Sequence, residues 1–103
     1  MESETRFEVI WSNAALNDIA GIDNFIALAN PDAADRIVGR IVERTALLSA
    51  FPKMGRPYVQ TRSCLIRSSV VESYRILYTI DEEARKIEIT HIWHGSRLDP
   101  DFD

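Results

Sequence analysis

Cysteine is almost absent from this chain. Cys64 stands alone, so it forms no internal disulfide and builds no zinc site by itself, and no His or basic residue is fixed beside it by local spacing to make it a nucleophile. It reads as a small, buried apolar side chain. Long apolar runs are also lacking, none approaching the roughly 20 consecutive residues of a membrane span. The start, Met1-Glu2-Ser3-Glu4-Thr5-Arg6, is acidic where a secretory leader is basic and then apolar, so the expected location is the cytoplasm. Positive charge is in deficit as well. A net charge of -4 argues against a protein whose main task is to coat bare nucleic acid, since that affinity comes from Lys and Arg neutralising phosphates.

The familiar catalytic and metal patterns are missing too. There is no phosphate-cradling glycine loop, no Gly-x-Ser-x-Gly elbow and no Ser/His/Asp order. Asp99, Asp101 and Asp103 superficially resemble a calcium loop but lack its turn glycine and closing glutamate. His91 and His94, three apart on a strand, point to opposite faces and cannot share an ion as a helical pair could. Neither metal nor cofactor is expected.

What is present is an ordinary globular composition, 46% hydrophobic over 103 residues, which suits one domain spanning 1–103. Phe7, Val9 and Trp11 alternate as in a short strand with one buried face. Ser12 supplies a helix N-cap, and Leu16, Ile19, Ile22 and Ile26 recur at helical spacing up to Asn30. Asn30-Pro31 is a cap followed by a first-turn proline. It opens a second helix to about Ala50, with Ala34, Ile37, Val38, Ile41, Thr45 and Leu48 on one stripe. Two helices joined by so tight a turn form an αα-hairpin. In Phe51-Pro52-Lys53-Met54-Gly55-Arg56-Pro57, two prolines and a glycine forbid a regular ladder, leaving an ordered loop that Phe51 and Met54 pin to the core.

Strand patterns follow. Cys64-Leu65-Ile66 sits in a second strand, and Tyr74, Ile76, Tyr78 and Ile80 alternate in a third. After the polar turn from Asp81 to Arg85, Ile87, Ile89, His91 and Trp93 alternate with Glu88, Thr90, Ile92 and His94, completing a hairpin. The order is β-α-α-β-β-β, an α+β fold with an αα-hairpin on one face of a mostly antiparallel sheet. His91 then shares a core face with Ile87, Ile89 and Trp93. Both tryptophans read as core aromatics. Asp99 to Asp103 reads as a short solvated tail.

Set in order, Phe7-Glu8-Val9 with Trp11-Ser12, Asn30-Pro31-Asp32-Ala33-Ala34, the Phe51 to Pro57 loop, Tyr74-Arg75-Ile76-Leu77-Tyr78 and Ile92-Trp93-His94-Gly95-Ser96-Arg97 resemble the landmarks of ParE-type toxins in the RelE/ParE superfamily. Met-Gly-Arg-Pro and His-Gly-x-Arg are the most diagnostic pieces. The resemblance implies a small toxin that poisons DNA gyrase, blocks replication and is silenced in a hetero-oligomer by a cognate antitoxin, whose partly disordered segment orders on binding. The RelE branch instead cuts mRNA on the ribosome, and Arg75 and Arg97 match two basic positions of its site. A third reading is a decayed member that only binds an antitoxin. Against cleavage, Leu98-Asp99-Pro100-Asp101-Phe102-Asp103 supplies no tyrosine, histidine or lysine after Arg97 and is acidic.

RNA cleavage needs a base, an acid and cations converging on one phosphate. Arginine is a poor proton carrier, which leaves His94 as the candidate on the strand face shared by Glu88 and Thr90. No catalytic residue is otherwise assigned. From Lys53 to Arg75 the charges are Lys53, Arg56, Arg62, Arg67 and Arg75 against Glu72 alone, so one surface is locally positive. Arg67, Arg75, Leu77 and Ile92 are read as one partly apolar sheet face that an antitoxin covers. An ion pair of Arg75 with Glu88 is the competing reading. Arg97, Leu98 and Phe102 are the expected target contacts, in a tail with little strand or helix character.

Overall fold

The structure is a computed structural model, and it describes residues 6–95. Five strands and two helices follow in the order β1 (Glu8–Trp11), α1 (Asn13–Ala29), α2 (Pro31–Ala50), one turn of 3-10 helix (Pro52–Met54), β2 (Arg56–Gln60), β3 (Leu65–Val71), β4 (Tyr74–Asp81) and β5 (Lys86–His94). They form a single sheet of order β1-β5-β4-β3-β2. β1 runs parallel to β5, and the other pairs are antiparallel. Neither helix among the described residues is long and apolar enough to cross a membrane.

Local chemistry sets the helix boundaries. Ser12 Oγ accepts the Ala15 amide at 3.0 Å, capping α1, and also donates to the Thr90 carbonyl at 2.9 Å, which ties the helix start to β5. Asn30 serves both helices. Its backbone N–H closes α1 on Ile26 O at 2.9 Å, while its Oδ1 accepts the Ala33 amide at 3.0 Å to open α2. The α2 stripe buries Ala34, Ile41, Thr45 and Leu48, whereas α1 contributes mostly half-buried isoleucines, Ile19, Ile22 and Ile26. These meet Val71, Tyr74, Ile76, Tyr78, Ile87 and Ile89 from the sheet. Each such aliphatic side chain contributes about 1.5–3 kcal/mol of transfer energy on full burial.

One element was not expected. The run after Gly55 does make a ladder, because β2 is an edge strand: only one side needs amides, and Pro57 is tolerated there. The register shifts between Pro57 and Val59, a bulge that lets Tyr58 and Val59 pack on the same side. Phe51 and Met54, expected in the core, are exposed. The loop they flank is fixed by Tyr78 instead, whose hydroxyl takes over the pinning role.

A second bulge changes which way several side chains point. Tyr78 pairs with Ile89 but Leu77 pairs with His91, so Thr90 is the extra residue of β5. Before the bulge, Ile87 and Ile89 face the helices; after it, Ile92 does, and His91 and Trp93 turn to the helix-free face. The expectation that His91 and Trp93 share a face with Ile87 and Ile89 is corrected accordingly. On the helix-free side, Ile66, Leu77 and Trp93 form a second small core, roofed by Tyr58, Val59 and Cys64.

Candidate functional site

Arg75 projects from β4 on the helix-free face, diagonal to Ser68 of β3. Its Nη1 donates to Ser68 Oγ at 3.0 Å, and its guanidinium carbon sits 4.8 Å from the centre of the Tyr58 ring. Tyr58 reaches it because the β2 bulge turns that ring inward. The expected alternative partner, Glu88, lies elsewhere: Arg75 is opposite Trp93, and Glu88 is opposite Thr79. Arg56, exposed at the start of β2, and Arg44, arriving from α2, converge on the same place. Arg44 Nη1 donates to Ser69 Oγ at 2.8 Å and to the Val70 carbonyl at 3.2 Å. Together these residues line a cavity of about 400 Å³ that wraps around the β3 edge beyond the first residue of β2. Val70, which also lines it, is 54% exposed. Guanidinium groups beside an apolar side chain and an open strand edge form a surface for an extended chain carrying carboxylates.

The four residues read as a single partner face do not share one. Arg67 pairs with Tyr78 across β3 and β4 and therefore lies on the helix side, where its Nη1 donates to the Gly55 carbonyl at 2.7 Å. Ile92 is also on the helix side, inside the main core, because of the Thr90 bulge. Leu77 keeps the face of Arg75 but is fully buried beneath its own chain. Of the four, Arg75 alone is both on that face and partly accessible.

Arg67 belongs to a structural knot rather than to an open surface. The Gly55 amide donates to the Tyr78 hydroxyl at 3.0 Å, and that hydroxyl donates to Pro52 O at 2.6 Å. Burial pushes the Tyr78 phenol above its ordinary range, opposed by the Gly55 N–H and by the Arg67 charge. Gly55 is required there because a Cβ would lie 2.5 Å from the Tyr78 hydroxyl and 2.8 Å from the Ser68 carbonyl.

The histidines exchange the roles expected of them. His94, expected on the face of Glu88 and Thr90, is set by the bulge on the helix side, exposed, its ring edge-on to Tyr74 at 5.3 Å. Arg75 and His94 thus occupy opposite faces. His91 is the histidine on Arg75's side, stacked on Trp93 at 4.7 Å, with Nδ1 3.4 Å from Asp18 Oδ2. No period-2 reading could nominate it, since the signal is a register shift. Arg97, Leu98 and Phe102 lie outside the described residues.

Comparison with known proteins agrees with this architecture. Residues 9–99 match the model of the ParE toxin of the type II toxin–antitoxin system parDE. The chain is 31% identical over 91 residues to Toxin RelE2 of Caulobacter vibrioides, covering 88% of this chain and 98% of that one. It is 30% identical over 97 residues to putative toxin Y4kP of Sinorhizobium fredii, covering 93% and 96%. Among solved structures, the chromosomal ParDE system of P. aeruginosa superposes with a TM-score of 0.70 at 19% identity, covering 87% of this chain and 97% of that one. The RelBE2 toxin–antitoxin complex of Mycobacterium tuberculosis gives 0.66 at 24% identity, covering 87% and 92%. The fold is thus shared by proteins named for both branches, while the family match extends over nearly the whole length, and the chain belongs to the ParE toxin family of type II toxin–antitoxin systems.

Proposed function

We propose that this toxin acts by binding, with DNA gyrase as its target, and that a cognate antitoxin neutralises it by covering the cavity around Arg75. The observation that supports binding over cleavage is the separation of Arg75 and His94 on opposite faces of the sheet. Phosphodiester cleavage needs a proton carrier beside the cation, and the nominated pair does not converge. Arg75 is already held by Ser68 and Tyr58. The antitoxin contact then centres on Arg75 with Arg56 and Val70, in place of the buried Leu77 and Ile92. Arg97, Leu98 and Phe102 contact the target, so a chain ending at Gly95 keeps its fold and loses growth inhibition.

One observation favours the ribosome-dependent ribonuclease reading: His91 shares the face of Arg75 and is oriented by a carboxylate. The two readings separate in a paired assay, with purified toxin tested for inhibition of gyrase supercoiling and for mRNA cleavage on translating ribosomes. Gyrase inhibition with intact mRNA is the expected result. Codon-biased cleavage abolished by both Arg75→Ala and His91→Gln would overturn it. A chain inert in both assays that still binds its antitoxin is a decayed member.

A further inference from the structure

β1 pairs with β5 only as far as Trp11 opposite Ile89, so the outer edge of the last part of β5 is left to α1. Asp18 covers it. Its Oδ2 accepts the Ile92 amide at 3.0 Å and lies 3.4 Å from His91 Nδ1. Both contacts fall on one oxygen. Among the described residues no buried side-chain polar atom lacks a partner, so Oδ1 looks outward. Beside it lies a cavity of about 520 Å³, walled by Asp18, Gly21, Phe25, Tyr74, Trp93 and His94. Tyr74 and His94 meet edge-on at 88°, which makes a corner of two aromatic planes, and Phe25 stands 73% exposed on the opposite wall.

Gly21 is the less expected member. It sits in the interior of α1, where glycine weakens a helix. Among the described residues nothing within 4 Å would meet a Cβ there, so their packing does not require it. It leaves the surface of α1 flat beside the cavity. Gly21, Phe25 and Leu28, spaced by four and three, share one side of the helix, and Leu28 is 88% exposed.

We propose that this slot binds the guanidinium group of an arginine presented by a protein partner. Aromatic walls and a carboxylate with a free oxygen recognise an organic cation, and among the described residues the lining contains no lysine or arginine. A planar guanidinium stacks on rings and forks onto a carboxylate in ways an ammonium does not. The partner is a protein rather than free arginine because the exposed Phe25 and Leu28 extend the surface past the slot, where a single amino acid covers nothing. The site is separate from the Arg75 cavity and does not depend on which macromolecule the toxin poisons.

The probe is N-acetyl-arginine-N-methylamide, titrated into the isotope-labelled full chain up to about 50 mM, the range set by the small size of the ligand. The capped citrulline and lysine analogues serve as comparisons. Saturable shifts at the Gly21, Phe25 and Ile92 amides are expected, with citrulline about tenfold weaker, the scale of one lost charge-assisted contact. Asp18→Asn still accepts the Ile92 N–H, so it keeps the thermal midpoint while weakening arginine by about tenfold. Gly21→Leu fills the slot and abolishes the shifts. Should Asp18→Asn fail to fold, the citrulline comparison and Gly21→Leu still decide the matter. Equal binding of citrulline or lysine, full affinity in Gly21→Leu, or no saturable shift at Gly21 would overturn the proposal.

Discussion

The Tyr78 hydroxyl donates to the Pro52 carbonyl at 2.6 Å, across 26 positions of sequence, and so fastens the loop after α2 to the middle of the sheet. The same oxygen accepts the Gly55 amide. Tyr78→Phe strands that amide in a buried place and should cost about 1–3 kcal/mol in urea denaturation with the fold retained. It should also alter the alkaline limb of the stability curve. The folded phenol is raised above its ordinary 10.0, so the unfolded chain loses the proton first, and stability falls as pH rises through the window above 10.0. Tyr78→Phe lacks that share of the slope. Identical alkaline slopes in the two proteins would contradict this account.

Gly55→Ala is expected to be damaging for a different reason. Its methyl group meets the Tyr78 hydroxyl and the backbone of Ser68, and the backbone has nowhere to go. Overpacking of this kind costs about 1–3 kcal/mol, before counting the loss of the Tyr78 bonds. Combining Gly55→Ala with Tyr78→Phe should cost less than the sum of the two, because both break one knot. Strict additivity in a double-mutant cycle would show that the loop is held elsewhere.

Leu77 belongs to the chain's own second core and not to an open surface. Leu77→Ala should therefore destabilise the free toxin by about 2–5 kcal/mol. Aspartate at both Leu77 and Ile92 should prevent folding altogether, since it places unpaired charge in two separate cores. Near-normal thermal melting of Leu77→Ala would mean the helix-free face opens readily.

Val70 offers the cleaner test of the antitoxin surface. It is exposed at the β3 edge, so Val70→Asp should leave stability within about 0.5 kcal/mol. If the antitoxin buries it, affinity should drop roughly tenfold or more, the equivalent of one valine's transfer energy. Calorimetric titration of the antitoxin against both proteins measures this directly, and unchanged affinity moves the contact away from the β3 edge.

The helices were readable because their signals are local. Ser12, Asn30 and Pro31 act within one turn, and the caps they form in the structure are those their chemistry dictates. The strands were readable as segments but not as faces. In β5 the alternation runs from Ile87 to His94 with no glycine or proline to mark the extra residue at Thr90, so alternation alone puts every side chain beyond it on the wrong side. The face of Arg67 escapes the sequence for a related cause: it follows from pairing with Tyr78, which a single strand does not encode. β2 was hidden because Pro57 argues against a ladder, and only the edge position makes it harmless. The Asp18 slot joins an α1 carboxylate to the end of β5, a meeting of distant segments that no local pattern announces.

The parallel seat of β1 against β5 carries a consequence for the order of events during synthesis. The first strand of the chain finds its only sheet neighbour among the described residues in the last. A nascent chain emerging from the ribosome can wind α1 and α2 early, but Val9 and Trp11 wait beside no strand until β5 arrives. The sheet is thus closed by β5, the last of its described strands, and β1 has no ladder before it. The αα-hairpin therefore stands without the strand seat that anchors its N-terminal end until β5 is made, and the hydrogen bond from Ser12 to the Thr90 carbonyl can close only then.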